Sequence, residues 1–516
     1  MPPPISLKRS RRGPATLRIG DGLQLEVLAG LRIIEKLGTA RPSVYDSSFQ
    51  VDDDLVSSLN WISLLLETDS SISHRDIAIA LSAEKGHITL HLAKANGQLP
   101  TKEERERLAI LMRTLRLSLK EDRLHKPLVL KRFTDMMSEK TLPEIYRKLS
   151  RIGTVKGDTP EENWATFLSV LPIWRKGHPK GERSDGFIKL AQECHGPVHG
   201  GQYSTTVMIE TMKSFIFYDQ CKPLEKLNAT ERSTFTTLVM RLSRLMMHST
   251  FFKDLVSSNG FLRHKLDYEE LICMFEMYQR VLDIARYSLG VARFADAGMT
   301  YITKVLGKKG IDQFLNGTGG IVAHWIVRSH RQVPRAVYWT TSPSVKVRQA
   351  LGMINFALDL EDRHLDKMAQ RDEVTRLWTK GNPVTPVLHS ELQLIRYFER
   401  HKIHAVGQSI GMNQPPCWAC HIYLQILNRR NPNNCWSMSL SRGRARPGPW
   451  MIPPGCKVEV TRNVLWLMNE KIYLGLEEYG NECYDEVMEG DDSEPSCRAS
   501  SGVDIDSDSD FHMPHS

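Results

Sequence analysis

His389-Ser390-Glu391 stands 25 residues ahead of Pro416-Cys417-Trp418-Ala419-Cys420. One imidazole and two thiols are three ligands for a borderline-soft ion such as zinc, and three protein ligands leave one corner of a tetrahedron open to water. Glu391 adds a carboxylate that can carry protons during attack by that water. The pattern therefore points to hydrolysis at a metal. His389 begins the only H-x-E in the chain and Cys417 the only C-x-x-C, although 18 His and nine Cys are spread over 516 residues. A stray H-x-E is expected about once in such a chain, so the weight falls on the rarer P-C-x-x-C.

Both ligand groups need a helix start to hold them. Residues i and i+2 inside a regular helix point roughly 200° apart, so His389 and Glu391 cannot both face one ion from mid-helix. Pro383 and Pro386 precede the pair, and Leu388, Leu392, Ile395 and Phe398 then recur at helical spacing, which predicts a helix beginning near His389. Cys417 likewise follows two prolines and opens a run in which Cys417, Cys420, Leu424 and Leu427 share a face. Thiols at a helix N-terminus ionise more readily and bind metal as thiolates. Between the helices, residues 404–407 suit a short buried strand, and Trp436, Met438 and Leu440 alternate as a second. Helix, strand, helix, strand is an α/β layer.

H-x-E followed by P-C-x-x-C is the pattern of zinc-dependent base deaminases. The segment resembles the cytidine deaminase-like superfamily, and within it the fungal deaminase-like proteins related to bacterial polymorphic-toxin deaminases. The resemblance rests on His389-Ser390-Glu391-Leu392-Gln393-Leu394, on Ile410-Gly411, on Cys417 and Cys420, and on Pro449-Trp450-Met451-Ile452-Pro453, and it covers roughly residues 380–455. Ser390 departs from the Ala usual at that position. The two strands that should open such a fold have no clear place; Ala336–Thr340 and Gly320–Val327 are the candidates, and neither has a hairpin turn.

The resemblance implies zinc held by His389, Cys417 and Cys420, a bound water activated near neutral pH, and attack on C4 of a cytosine or C6 of an adenine. Glu391 would move the proton from water to the ring nitrogen and on to departing ammonia. Asn382 would hydrogen-bond the substrate, as asparagines on the equivalent loop do in related enzymes; the plainer reading of Gly381-Asn382-Pro383 is a turn. A rival metal site is open to Cys417, Cys420, Cys435 and Cys456, a four-cysteine structural set. His421 is a further contender, better suited to a packing or solvent role. Cys194, His195 and His199 lie in a Gly/Pro-rich stretch that reads as a loop.

Four regions are expected: a basic, partly disordered tail over 1–50, a mainly helical domain with a short hairpin over 51–335, the zinc deaminase-like α/β domain over 336–475, and an acidic disordered tail over 476–516. The hairpin is predicted from alternation of Ile77, Ile79 and Leu81 and then Ile88, Leu90 and Leu92, and the helix after it from the capping box Thr101/Glu104. Two stripes, Phe235 to Met246 and Leu271 to Ala285, read as core-facing helix faces. No 18-residue apolar stretch and no secretory leader are evident, and an odd number of scattered Cys argues against a disulfide framework, so an intracellular place, nucleus or cytoplasm, is expected without membrane contact. Lys8-Arg9-Ser10-Arg11-Arg12 suits a nuclear signal or a phosphate-binding arm.

Residues 477–516 carry thirteen acidic side chains against one Arg; removing that net −12 from the formal +8 leaves +20 on the rest of the chain. Such a body favours polyanions, and two readings of the tail stay open, an internal competitor for the same surface and a solubilising end. Arg429, Arg430, Arg442, Arg444 and Arg446, interleaved with Trp436 and Trp450, suit single-stranded nucleic acid if the tryptophans are exposed, and a folded core if they are not. The expectation is a nucleobase deaminase acting within nucleic acid. The alternative is a catalytically idle deaminase-like fold used as a zinc-stabilised binding module, against which the retained Glu391 argues.

Overall fold

The computed structural model describes residues 54–67, 77–120, 126–152, 159–182, 184–195, 201–217, 227–257, 259–327, 337–338, 383–384, 386–413, 416–438, 450–454 and 456–471, together with Gln24, Val27, Leu28, Gly30 and Leu31. The expected hairpin forms: β1 (Ile77–Glu84) pairs antiparallel with β2 (His87–Lys94), with Ile79 opposite Leu92 and Leu81 opposite Leu90. Alternation with period two puts these large residues on one face and leaves Ala78, Ala80 and Ala93 on the other. β3 (Ile321–Ile326) adds parallel to β2 at one edge. On the other side β4 (Ser409–Met412) pairs antiparallel with β1, and β5 (Ser437–Met438) pairs parallel with β4, giving the order β3-β2-β1-β4-β5.

This sheet separates two cores. The large-residue face meets a helical mass that includes α1 (Asp54–Leu66) and α2 (Tyr268–Arg293), where Trp61 is buried against the rings of Phe133 and Phe294. The alanine face leaves room for α3 (Ser390–His401), which lies on β1 and β2 with Leu392, Ile395 and Phe398 buried. With it pack α4 (Trp418–Arg430) and a last helix over residues 458–471, which buries Val460, Val464 and Met468. The described part is thus helix-rich toward the N-terminus, with a mixed sheet and helices beside the segment that bears the candidate ligands.

Several expectations are corrected. The hairpin, assigned from sequence to the helical part, is the missing opening of the α/β sheet, so one sheet draws strands from both sides of the 335/336 boundary. Of the two earlier strand candidates, 321–326 is only an outer edge, and Val337–Tyr338 pairs with Pro383–Val384 in a separate two-stranded ladder. The strand placed at 404–407 begins instead at Ser409, because Gly407 and Gln408 take left-handed backbone angles (φ 57° and 49°) in a short turn that no strand can continue through. In the helix Ala229–His248 the stripe is buried except for Phe235, which is half-buried, and Leu238, which is exposed. In α2 the expected Tyr278 and Ala285 are buried, but so are Met274, Met277, Val281, Ile284 and Tyr287, while Leu271 and Phe275 are only half-buried, because α2 is surrounded by several helices. Within the stretch expected to be a tail, Gln24, Val27, Leu28 and Leu31 are helical and buried. The Thr101/Glu104 capping box forms as expected. Leu440 and the acidic C-terminal run lie outside the described residues.

β4 carries the chain toward Cys417 and is held tightly from the helical side. Asn60 Oδ1 accepts from the Met412 amide at 2.7 Å, and Arg286 donates to the carbonyls of Met412 and Asn413 at 3.2 and 3.3 Å. A Cβ on Gly411 would fall 2.2 Å from the Leu59 carbonyl carbon, a backbone atom that cannot swing aside. Gly411→Ala is therefore expected to destabilise the protein by ~3 kcal/mol through overpacking, read as a lowered thermal midpoint; an unchanged midpoint would show that α1 and β4 are not in this contact.

Candidate metal centre

His389 is the N-cap of α3 and Cys417 the N-cap of α4, both with extended backbone, so each enters from a loop at the positive end of a helix. Cys420 stands on the first turn of α4, and Glu391 on the first turn of α3. Their ligating atoms converge: His389 Nδ1, Cys417 Sγ and Cys420 Sγ lie within 4.8 Å of one another, and this is the only such His/Cys/carboxylate group among the described residues. Cys420 Sγ is 3.4 Å from His389 Nδ1, and Glu391 Oε1 is 3.9 Å from the same nitrogen. The cluster can hold a metal ion.

Burial shapes its electrostatics. Glu391 is 1 % exposed and Cys420 fully buried. Burial pushes the Glu391 carboxyl above its ordinary range, a shift the His389 charge opposes and a Cys417 thiolate reinforces. Burial also pushes both thiols up; at Cys417 the hydrogen bond from Cys420 and the His389 ring outweigh it and hold the thiol well below its usual range, while Cys420 rises. Glu391 Oε1 is buried without a hydrogen-bond partner among the described residues, although the Ser390 hydroxyl reaches Oε2 at 3.4 Å. The carboxylate thus stands beside the three atoms that could hold a metal, with one buried oxygen unmatched.

One contact went unread in the sequence: the Trp450 indole N–H donates to Cys420 Sγ at 3.2 Å. Of the two roles the sequence leaves open for Trp450, stacking platform or structural residue, burial selects the structural one, at 1 % exposed; Trp436, 6 % exposed, sits edge-on to Phe398. Neither offers a face to a nucleic-acid base.

The expected neighbours divide clearly. Cys435 is exposed with its thiol turned to the Pro432 carbonyl at 3.2 Å, and Cys456 is half-buried with Thr461 as its neighbour, so the four-cysteine set does not assemble. His421 faces Gln425 at 3.0 Å, away from the ligand group. Cys194 and His195 end the helix Asp185–His195, while His199 lies outside the described residues. Asn382, the expected substrate-binding residue, also lies outside them, as do Arg442, Arg444 and Arg446.

Residues 388–454 match the model of the OTT_1508-like deaminase family. The chain carries a deaminase-like domain. The matched segment takes in all three candidate ligands, Glu391, Trp450, α3, β4, α4 and β5, and leaves out β1, β2 and β3. It is consistent with the cytidine deaminase-like superfamily. No curated protein and no solved structure matches the chain. No helix among the described residues is long and apolar enough to cross a membrane.

Proposed function

We propose that the deaminase-like domain is a zinc-dependent hydrolytic deaminase of a nucleobase, cytosine or adenine, carried within nucleic acid. The observation that carries this reading is the buried Glu391 carboxylate, with one oxygen unmatched, beside a His/Cys/Cys ligand group. A purely structural metal site has no use for such a carboxylate, because burying an unpaired charge opposes folding.

The donor set suits zinc. Two ligands of one tetrahedral zinc, a thiolate at ~2.3 Å and an imidazole at ~2.05 Å, stand about 3.5 Å apart, and Cys420 Sγ and His389 Nδ1 are 3.4 Å apart. Bound zinc supplies a Lewis acid that makes water nucleophilic at neutral pH. His389, Cys417 and Cys420 would hold the ion from two helix N-termini, with the Trp450 N–H donating to the Cys420 sulfur. Glu391 would accept one proton from the attacking water and deliver it to the ring nitrogen beside the amidine carbon, then take the second proton from the newly added hydroxyl and pass it to the amine, which leaves as ammonia as the carbonyl forms. The preference for a polymer rests on the formal +20 of the chain without residues 477–516 and on exposed Arg429 and Arg430 at the end of α4.

Zinc-loaded full-length protein incubated with single-stranded DNA, single-stranded RNA and free nucleosides is expected to release ammonia and raise the mass of a polymer base by roughly one unit per event. Conversion of nucleosides alone would overturn the polymer assignment. Absence of ammonia from all of them, with nucleic-acid binding equal in wild type and Glu391→Ala, would instead establish a binding module.

A further inference from the structure

The segment that leads into His389 is gripped on both sides by residues far from it in sequence. On one side, Asn96 donates its amide N–H to the Leu388 carbonyl at 2.7 Å and accepts the Leu388 N–H on Oδ1 at 2.8 Å, across 292 residues of chain. On the other side, Val387 bridges in parallel to Trp450, with the Met451 N–H donating to the Val387 carbonyl at 2.8 Å. The outer edge of that second segment is held by one side chain: Gln24 donates to the Trp450 carbonyl at 2.7 Å and accepts the Ile452 N–H at 2.8 Å. The result is a short ladder, Asn96 to 387–388 to 450–452 to Gln24, in which the Asn96 backbone N–H and Oδ1 satisfy one outer edge and the Gln24 side-chain amide the other, as a neighbouring strand would. The two inner rungs end on the groups that touch Cys420, namely His389 through Nδ1 and Trp450 through its indole N–H.

Asn96 is itself fixed. It takes a left-handed conformation (φ 57°) that Asn tolerates better than most residues. The turn it occupies is tied down by Gln393, whose Nε2 donates to the carbonyls of both Lys94 and Leu388, and by the buried ion pair between Lys94 Nζ and Glu104 at 2.8 Å. Leu388 cannot shift along α3 without breaking bonds to two different elements.

We infer that Asn96 and Gln24 are positioning residues for the metal centre: Asn96 sets the place of His389, and Gln24 sets the place of the Trp450 indole against Cys420. This rests on the reading of His389, Cys417 and Cys420 as metal ligands. It also means that the matched segment 388–454 is incomplete as a site, since both outer edges of its ladder come from residues before it.

The test uses full-length protein, with zinc affinity measured by chelator competition and the site geometry by the visible spectrum of the cobalt-substituted form. Asn96→Gly keeps the left-handed turn and removes only the Oδ1 acceptor, Asn96→Asp keeps that acceptor, and Gln24→Met keeps length without hydrogen bonds. Asn96→Gly is expected to weaken zinc about tenfold, within the range for residues that orient a ligand, while Asn96→Asp stays near wild type. Gln24→Met is expected to displace the cysteine-to-cobalt charge-transfer band. Melting of the metal-free proteins separates these effects from a general loss of stability, which would leave the spectrum of folded, loaded protein unmoved. Wild-type affinity and an unchanged spectrum in Asn96→Gly and Gln24→Met would overturn the inference while leaving the metal centre intact. A wild-type protein that binds neither zinc nor cobalt would overturn the metal reading itself. Should Asn96→Gly fail to fold, the Gln24→Met spectrum decides.

Discussion

Cys420→Ser is expected to weaken metal binding by roughly 10²–10⁴-fold in otherwise folded protein, enough for the purified variant to lose its ion. Wild type should carry about one zinc per chain, as for a single three-ligand site, and His389→Ala and Cys417→Ser should lose it as Cys420→Ser does. If the three ligands share a binding free energy of ~10–16 kcal/mol, removing one costs about a third of it, or roughly 10²–10⁴-fold in affinity. Cys420 should be the most damaging because its sulfur is fully buried and is the one that both His389 and the Trp450 indole approach. Cys435→Ser serves as the control: its thiol is exposed and faces a backbone carbonyl, so metal content should not change. Elemental analysis of the purified variants checks all four. Zinc lost with Cys435 and kept with His389 would mean a structural site that the geometry does not show, and folded wild type without metal would remove the basis of the proposed chemistry.

That this centre was legible in the sequence has a local cause. Each ligand group is short in sequence and sits at a helix N-cap announced by prolines, so spacing and capping rules placed His389 and Cys417 correctly. The support of the centre was not legible, because it is non-local. Alternation identified β1 and β2 as a hairpin, but no sequence periodicity says that their alanine face receives α3 from across the chain. Asn96 reads as an ordinary turn residue, and its docking on Leu388 appears only once the sheet is assembled. Trp450 has the same history: Arg and Trp in alternation suit nucleic acid as a pattern, and burial decides otherwise. The strand misplaced at 404–407 shows the opposite failure, a correct apolar pattern overruled by left-handed backbone at Gly407 and Gln408.

Glu391→Gln should separate chemistry from metal binding more sharply than any other change. The amide preserves shape and polarity but cannot accept the water's proton, so turnover should fall by ~10²–10⁴-fold, the usual contribution of a positioned general acid–base, with zinc content unchanged. The same substitution has an opposite expected effect on the metal-free fold. Burial raises the Glu391 carboxyl above its ordinary value of 4.5, so the folded state favours the protonated form. Below that ordinary value the group is protonated folded or unfolded and imposes no penalty. As pH rises through the raised value, the folded state must either keep a proton the unfolded chain has released or bury a charge, and stability is lost. Metal-free Glu391→Gln should therefore melt higher than metal-free wild type at neutral pH, with the difference closing as the pH falls toward 4.5. A buried carboxylate that weakens the empty fold and is idle in turnover would have no account in this site; one that weakens the fold and carries the proton is the behaviour expected of an acid–base group held ready beside a metal.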